Sequence, residues 1–151
     1  MKKFQFRFEA VLKVRKIKQD EALRAVAFHE KVYRQEIEKK ATLLTELDLA
    51  YKRIESFSEK SSQISIYQSE QDFIEGTKQR IIQADHAILK ARRNLDKVLR
   101  LFTAARAQSQ VMETLKDNAH KEYRKDIERR EQKLMDDLTL MRFRPQQEDQ
   151  S

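Results

Sequence analysis

Residues Ile74–Phe102 read IEGTKQR-IIQADHA-ILKARRN-LDKVLRL-F when broken into sevens. Each block opens on a large apolar residue: Ile74, Ile81, Ile88, Leu95 and Phe102. Three positions later stand Thr77, Ala84, Ala91, Val98 and Ala105, all of them small. Large and small residues alternating at intervals of three and four make a coiled-coil seam. The stretch lies inside a run from Asp72 to Arg144 whose only helix breaker is Gly76. As one helix, that run measures roughly 105 Å at about 1.5 Å per residue. A chain of 151 residues has no globular core that could wrap it, so the expectation is a rod.

Composition supports few turns. Charged residues make up 38% of the chain, with one Gly, one Pro, no Cys and no Trp. Globular domains place Gly and Pro at their many turns, and a chain so poor in both turns rarely. The expected architecture is all-α: two long helices forming an antiparallel coiled-coil hairpin, the second helix longer than the first. With only a narrow seam to bury, such a hairpin draws on helix propensity, surface ion pairs and a partner. Without Cys there is neither a disulfide framework nor a thiolate metal site, which suits a reducing compartment. No run of 18 apolar residues occurs, and the charged N-terminus has no apolar signal core. The expected location is therefore the cytoplasm.

The chain opens on an aromatic alternation, Phe4, Phe6 and Phe8, for which the sequence offers no strand partner. Residues 1–18 hold seven Lys or Arg against one Glu. Such an amphipathic basic segment suits an anionic membrane surface or, more commonly, packing on protein with the cationic stems flanking the seam. The first helix is expected over about 8–56. Its seam reads Leu23, Glu30, Ile37, Leu44 and Tyr51 at one core position and Val26, Tyr33, Lys40, Leu47 and Ile54 at the other. Glu30 and Lys40 interrupt the pattern and are expected to snorkel out of a loose seam. Periodicity fails in SFSEKSSQ, residues 56–63, where four serines make the poorest helix-forming stretch. A turn at about 57–63 and a second helix over about 64–143 follow, with a single domain over 1–144 and a disordered tail at 145–151. Long helices joined by a short turn lie antiparallel.

A turn centred near residue 60 sets Glu9 beside Val111, so everything after about residue 112 should outrun the first helix. This overhang keeps an apolar stripe: Tyr123, Ile127, Leu134, Leu138 and Met141. Ile127 lies three heptads plus four from Phe102, which predicts a stutter in the seam. A stripe with no intrachain partner is a self-association face or a docking surface.

Catalysis is not expected. His29, His86 and His120 stand far apart, one Gly allows no phosphate loop, and the carboxylates are interspersed with Lys and Arg as surface pairs. Neither a cofactor nor a metal is implied. Net charge +7 and a pI near 9.6 would attract phosphate, but the cations are spread along both helices rather than gathered beside a zipper, so no nucleic-acid partner is expected. The charge instead implies an acidic partner surface, of protein or anionic lipid.

The N-terminal run Phe6-Arg7-Phe8-Glu9-Ala10-Val11-Leu12-Lys13-Val14-Arg15 resembles the FRLexVLxxR opening of the flagellar export protein FliJ family. Glu131-Gln132-Lys133-Leu134-Met135-Asp136-Asp137, followed by Met141-Arg142, is similar to that family's ending. Tyr67 and Gln71-Asp72-Phe73-Ile74 resemble the start of its second helix. The similarity spans nearly the whole chain. It implies a soluble, non-enzymatic component of the flagellar type III export apparatus, shaped like the central stalk of a rotary ATPase. The implied partners are the hexameric export ATPase, the cytoplasmic domain of the export-gate membrane protein and flagellar substrate chaperones. The implied location is cytoplasmic, peripheral to the inner membrane at the flagellar base. Carried over by position, the gate-contacting surface is Phe73, Thr77, Arg80 and Ala84, although the family pattern has apolar residues where Thr77 and Arg80 stand. The end carrying both termini would meet the ATPase ring through Arg7, Lys13, Arg15, Lys133, Asp136 and Arg142. An injectisome stalk and a basic coiled-coil scaffold or chaperone are the alternative readings.

Overall fold

The computed structural model describes residues 3–58 and 64–143. Two helices account for nearly all of them: α1, Glu9–Ser58, and α2, Ile64–Arg142. The expected turn lies mostly, and the expected tail wholly, outside the described residues. Neither helix contains Pro, and Glu9 in the first turn of α1 and Arg142 in the last turn of α2 both oppose the helix dipole favourably. Thr42, Thr45, Thr77, Thr103, Thr114 and Thr139 each donate a hydroxyl hydrogen bond to the carbonyl four residues earlier, so these β-branched residues stay compatible with the helix.

The chain divides into two compact units, residues 1–17 with 106–151 and residues 18–105. In the second unit α1 and α2 lie antiparallel. Arg53 forks onto Glu70 with bonds of 2.9 and 3.1 Å, and Lys40 reaches Asp85 at 2.6 Å. The α2 side of this seam is the one expected. Ile74, Thr77, Ala84 and Ala91 are buried, while Ile81, Ile88, Leu95, Val98, Phe102 and Ala105 are half-buried.

On α1 one line is as expected and the other is displaced. Val26, Tyr33, Lys40, Leu47 and Ile54 are half-buried, and Lys40 does reach out of the seam. Their partner line is Ala22, His29, Glu36, Leu43 and Ala50, not Leu23, Glu30, Ile37, Leu44 and Tyr51. Leu23, Ile37, Leu44 and Tyr51 stay between 42% and 49% exposed, whereas Ala50 is completely buried. The physical reason is shape. The apolar arc of α1 is wider than one coiled-coil seam, and close approach selects the part of it that interdigitates. At the levels set by the ion pairs, small Ala50 comes opposite large Ile74, and large Leu47 opposite small Thr77. Glu30 is thereby removed from the seam and pairs with Arg34 at 2.6 Å along its own helix.

In the first unit the N-terminal residues also run antiparallel to α2, and here the expected overhang is corrected. Glu9 meets Lys116 at 2.9 Å rather than Val111, and Lys16 meets Glu113 at 3.1 Å. Residues ahead of the helix reach further: Phe4 packs its ring on His120 and Tyr123, at 4.9 and 5.4 Å between centroids. The alternation needed no strand partner: Phe4 packs on a helix, while Phe6 and Phe8 pack on each other. Contacts from the N-terminal residues thus reach Tyr123, with Leu12, Ser109 and Met112 buried and Lys116, Ala119, Tyr123 and Ile127 half-buried. Ser109, Lys116 and Tyr123 continue the interval of seven from Phe102, so the expected stutter is confined to the step from Tyr123 to Ile127. Polar Ser109 and Lys116 had hidden that continuity. The uncovered part of α2 begins after Ile127.

Candidate partner-binding surfaces

Among the described residues there is no group of three or more His, Asp or Glu placed to hold a metal ion, and no helix is long and apolar enough to cross a membrane. What the molecule offers is helix surface, and in the first unit it is most continuous at the end of α2. Every described residue from Glu128 to Phe143 is exposed. Leu134, Met135, Leu138, Leu140, Met141 and Phe143 present 56–78% of their surface. Leu134, Leu138 and Met141 recur at four and three residues and so share one face. These three form an exposed apolar stripe, and Met135, Leu140 and Phe143 add exposed apolar surface around the rest of the helix, a concentration of the kind that marks an interaction site.

All six residues expected to meet an ATPase ring fall in the first unit, in two clusters. Arg7, Lys13 and Arg15 stand at the N-terminal arm and the first turns of α1. Arg7 and Lys13 are exposed, Arg15 is half-buried, and the Arg7 guanidinium sits 5.5 Å from the Phe8 ring. Lys133, Asp136 and Arg142 are exposed on the last turns of α2, among the apolar residues just described. The arm reaches α2 at His120 and Tyr123, so Lys133 to Arg142 lie roughly 15–30 Å further along the helix, at about 1.5 Å per residue. No contact joins the two clusters among the described residues.

The arm itself is a structured element. The Glu9 amide donates to the Phe6 carbonyl at 3.2 Å and the Leu12 amide to the Phe8 carbonyl at 3.0 Å, closing the turn that starts α1. Phe6 and Phe8 meet edge to face at 5.9 Å. A shallow groove of about 500 Å³ runs between Gln5, Phe6, Arg7 and Phe8 on one side and Leu115, Asn118, Ala119 and Glu122 on the other. Sequence reasoning missed Phe4, Lys116, His120 and Tyr123 as a set. The available signal was the aromatic pair His120 and Tyr123, three apart on one helix face, matching an unpaired aromatic at the N-terminus.

In the second unit, Phe73, Thr77, Arg80 and Ala84 occupy two different environments. Phe73 is at the surface with the guanidinium groups of Arg53 and Arg80 each 5.7 Å from its ring. Arg80 is exposed and donates to the Thr77 hydroxyl at 3.2 Å, and that hydroxyl donates to the Phe73 carbonyl at 2.7 Å. Thr77 and Ala84 are buried in the seam. Phe73 and Arg80 therefore form the outward surface, and Thr77 fixes Arg80 from below.

These features define a two-helix, antiparallel coiled-coil protein. The chain belongs to the flagellar FliJ protein family, whose model matches residues 4–148. No curated protein matches the sequence. Among solved structures the fold is similar to that of a protein described as a YscO homologue, CT670, from Chlamydia trachomatis. That similarity has a TM-score of 0.64 at 16% identity and covers 98% of this chain and 100% of the other.

Proposed function

We propose that this protein is a non-enzymatic, stalk-like component of the flagellar type III export apparatus. In this reading the end carrying both termini engages the hexameric export ATPase. Lys133, Asp136 and Arg142 on the uncovered end of α2 meet the ring, with Arg7, Lys13 and Arg15 at its mouth. The observation that carries the reading is the exposed apolar and charged stretch after Ile127, extending beyond the arm's contacts with His120 and Tyr123. A ring gripping a slender helix end matches that surface, and cations facing acidic loops would steer and orient the encounter. The cytoplasmic domain of the export-gate membrane protein would dock on Phe73 and Arg80, with Thr77 and Ala84 shaping that surface from within the seam. Substrate chaperones complete the partner set, and the protein works in the cytoplasm, peripheral to the inner membrane at the flagellar base.

The test is the turnover rate and hexamer population of the cognate ATPase with and without this protein. Stimulation that is lost on deleting residues 130–144 supports the reading. An unchanged rate and hexamer population, with the protein shown to be helical, would overturn it. The fold similarity to the YscO homologue favours one second reading, a stalk of an injectisome. Stimulation of an injectisome ATPase in preference to a flagellar one would select it.

A further inference from the structure

In the second unit, the displaced seam of α1 leaves a row of large aliphatic side chains exposed. Its centre is the Lys40–Asp85 ion pair, 2.6 Å long. Around it stand four aliphatic residues at the same helical offsets, three before and four after: Ile37 and Leu44 on α1, Ile82 and Leu89 on α2. On a helix those offsets place side chains beside the central residue on one face. All four are 42–52% exposed. Tyr51, one heptad beyond Leu44, extends the α1 row and is also exposed. On α2 the line through Asp85 continues at intervals of seven to Lys78 and Arg92. Asp85 is engaged by Lys40, while Lys78 and Arg92 have no ion pair or hydrogen bond among the described residues. This face lies beyond the Ile81–Ile88 line, on the opposite flank from Phe73 and Arg80.

We propose that this face is a docking site for an amphipathic helix of another protein, one with an apolar stripe and acidic flanks. Three occupants were open, and the residues separate them. Ile37 to Leu44 and Ile82 to Leu89 are one heptad each, so the aliphatic corners repeat in the period of a third coiled-coil strand. A lipid surface imposes no such register. A second copy would bring a chain of net charge +7 against unpaired Lys78 and Arg92, an arrangement that like charges oppose. A partner helix with Glu or Asp beside its stripe satisfies both cations. It also shields the Lys40–Asp85 pair from water, which strengthens the attraction within that pair. The inference rests on this surface alone and is independent of the assignment to the export apparatus.

The experiment uses the full-length protein and a synthetic three-heptad peptide with Leu at both core positions and Glu at the flanking ones. A peptide of the same composition in scrambled order serves as control, and binding is followed by calorimetry and by the gain of helical circular dichroism. The expected result is a saturable 1:1 complex with the ordered peptide only. Leu89→Gln, Ile82→Gln and Arg92→Glu should each weaken it about tenfold or more, the scale of one interface anchor at about 1.4 kcal/mol. Phe28→Gln, a change at an exposed apolar residue off this face, should leave it unaltered. Because Ile82, Leu89 and Arg92 lie outside the seam, circular dichroism of each variant checks that the helices are intact. Equal binding of both peptides, insensitivity to all three substitutions, or no binding would overturn the proposal. So would sedimentation showing that the protein dimerises through Leu89, or vesicles with anionic headgroups binding where the ordered peptide does not.

Discussion

Replacing Phe4 by alanine tests the finding that the N-terminal arm is anchored rather than loose. Phe4 is half-buried, so roughly half of the 1.5–3 kcal/mol that full burial of such a side chain contributes, about 1 kcal/mol, depends on its ring. Its contacts with His120 and Tyr123 add about 0.5 kcal/mol each or more beyond the area term. The sum, about 2 kcal/mol, corresponds to a roughly thirtyfold increase in the open population of the arm at 25 °C. The change should be local, because helix α1 begins only at Glu9 and carries its own contacts from Leu12 onward. Amide hydrogen exchange resolves this directly. Protection of residues 6–12 should fall by about that factor, while residues 26–54 and 74–105 keep wild-type rates. The Tyr123 ring resonances should also lose the shift that the Phe4 ring induces. A change in arm protection of less than about threefold would refute the reasoning, because the measured coupling would then be under about 0.7 kcal/mol. An equal loss of protection throughout α1 and α2 would refute it differently, by showing that the arm and the rest of the molecule open as one.

Gly76→Ala should stabilise the protein by about 0.5–1 kcal/mol, because a Cβ there meets nothing within 4 Å and alanine loses less chain entropy in a helix; urea unfolding with an unchanged slope is the readout. Ala84→Leu should cost about 1–3 kcal/mol, since the extra atoms enter a buried seam position where large and small residues alternate; thermal unfolding measures it. The Lys52 amine is held above the ordinary value of 10.5, first by its hydrogen bond from Nζ to Asp48 and then by the charge of that carboxylate. Its contribution is therefore present below pH 10.5 and lost as pH rises through the raised value. Asp48→Asn should lower the Lys52 titration midpoint in a side-chain NMR pH series.

The fold was legible because a coiled coil writes its geometry in its period. Ile74 to Phe102 named both lines of the α2 seam, and the near absence of Gly and Pro left one place for a turn. The α1 seam was half legible. Sequence picks the most apolar pair of lines, Leu23 with Val26, but the apolar arc includes Ala22 as well. Apolar character cannot say which part of that arc faces a neighbour. The reach of the N-terminal arm was illegible for a related reason: Phe4, Phe6 and Phe8 have no helical or strand period with each other. The partners of Phe4, His120 and Tyr123, are more than a hundred residues away.

Sequence alone therefore determined the class of structure, the family and the order of the two helices, because each of these follows from local period, composition and motif. Tertiary structure alone decided which flank of α1 is buried, where cover over α2 ends, and that Thr77 and Ala84 lie beneath Phe73 and Arg80. Those facts depend on how two surfaces interdigitate. A small residue such as Ala50 gains its importance only when a large one such as Ile74 is brought opposite it.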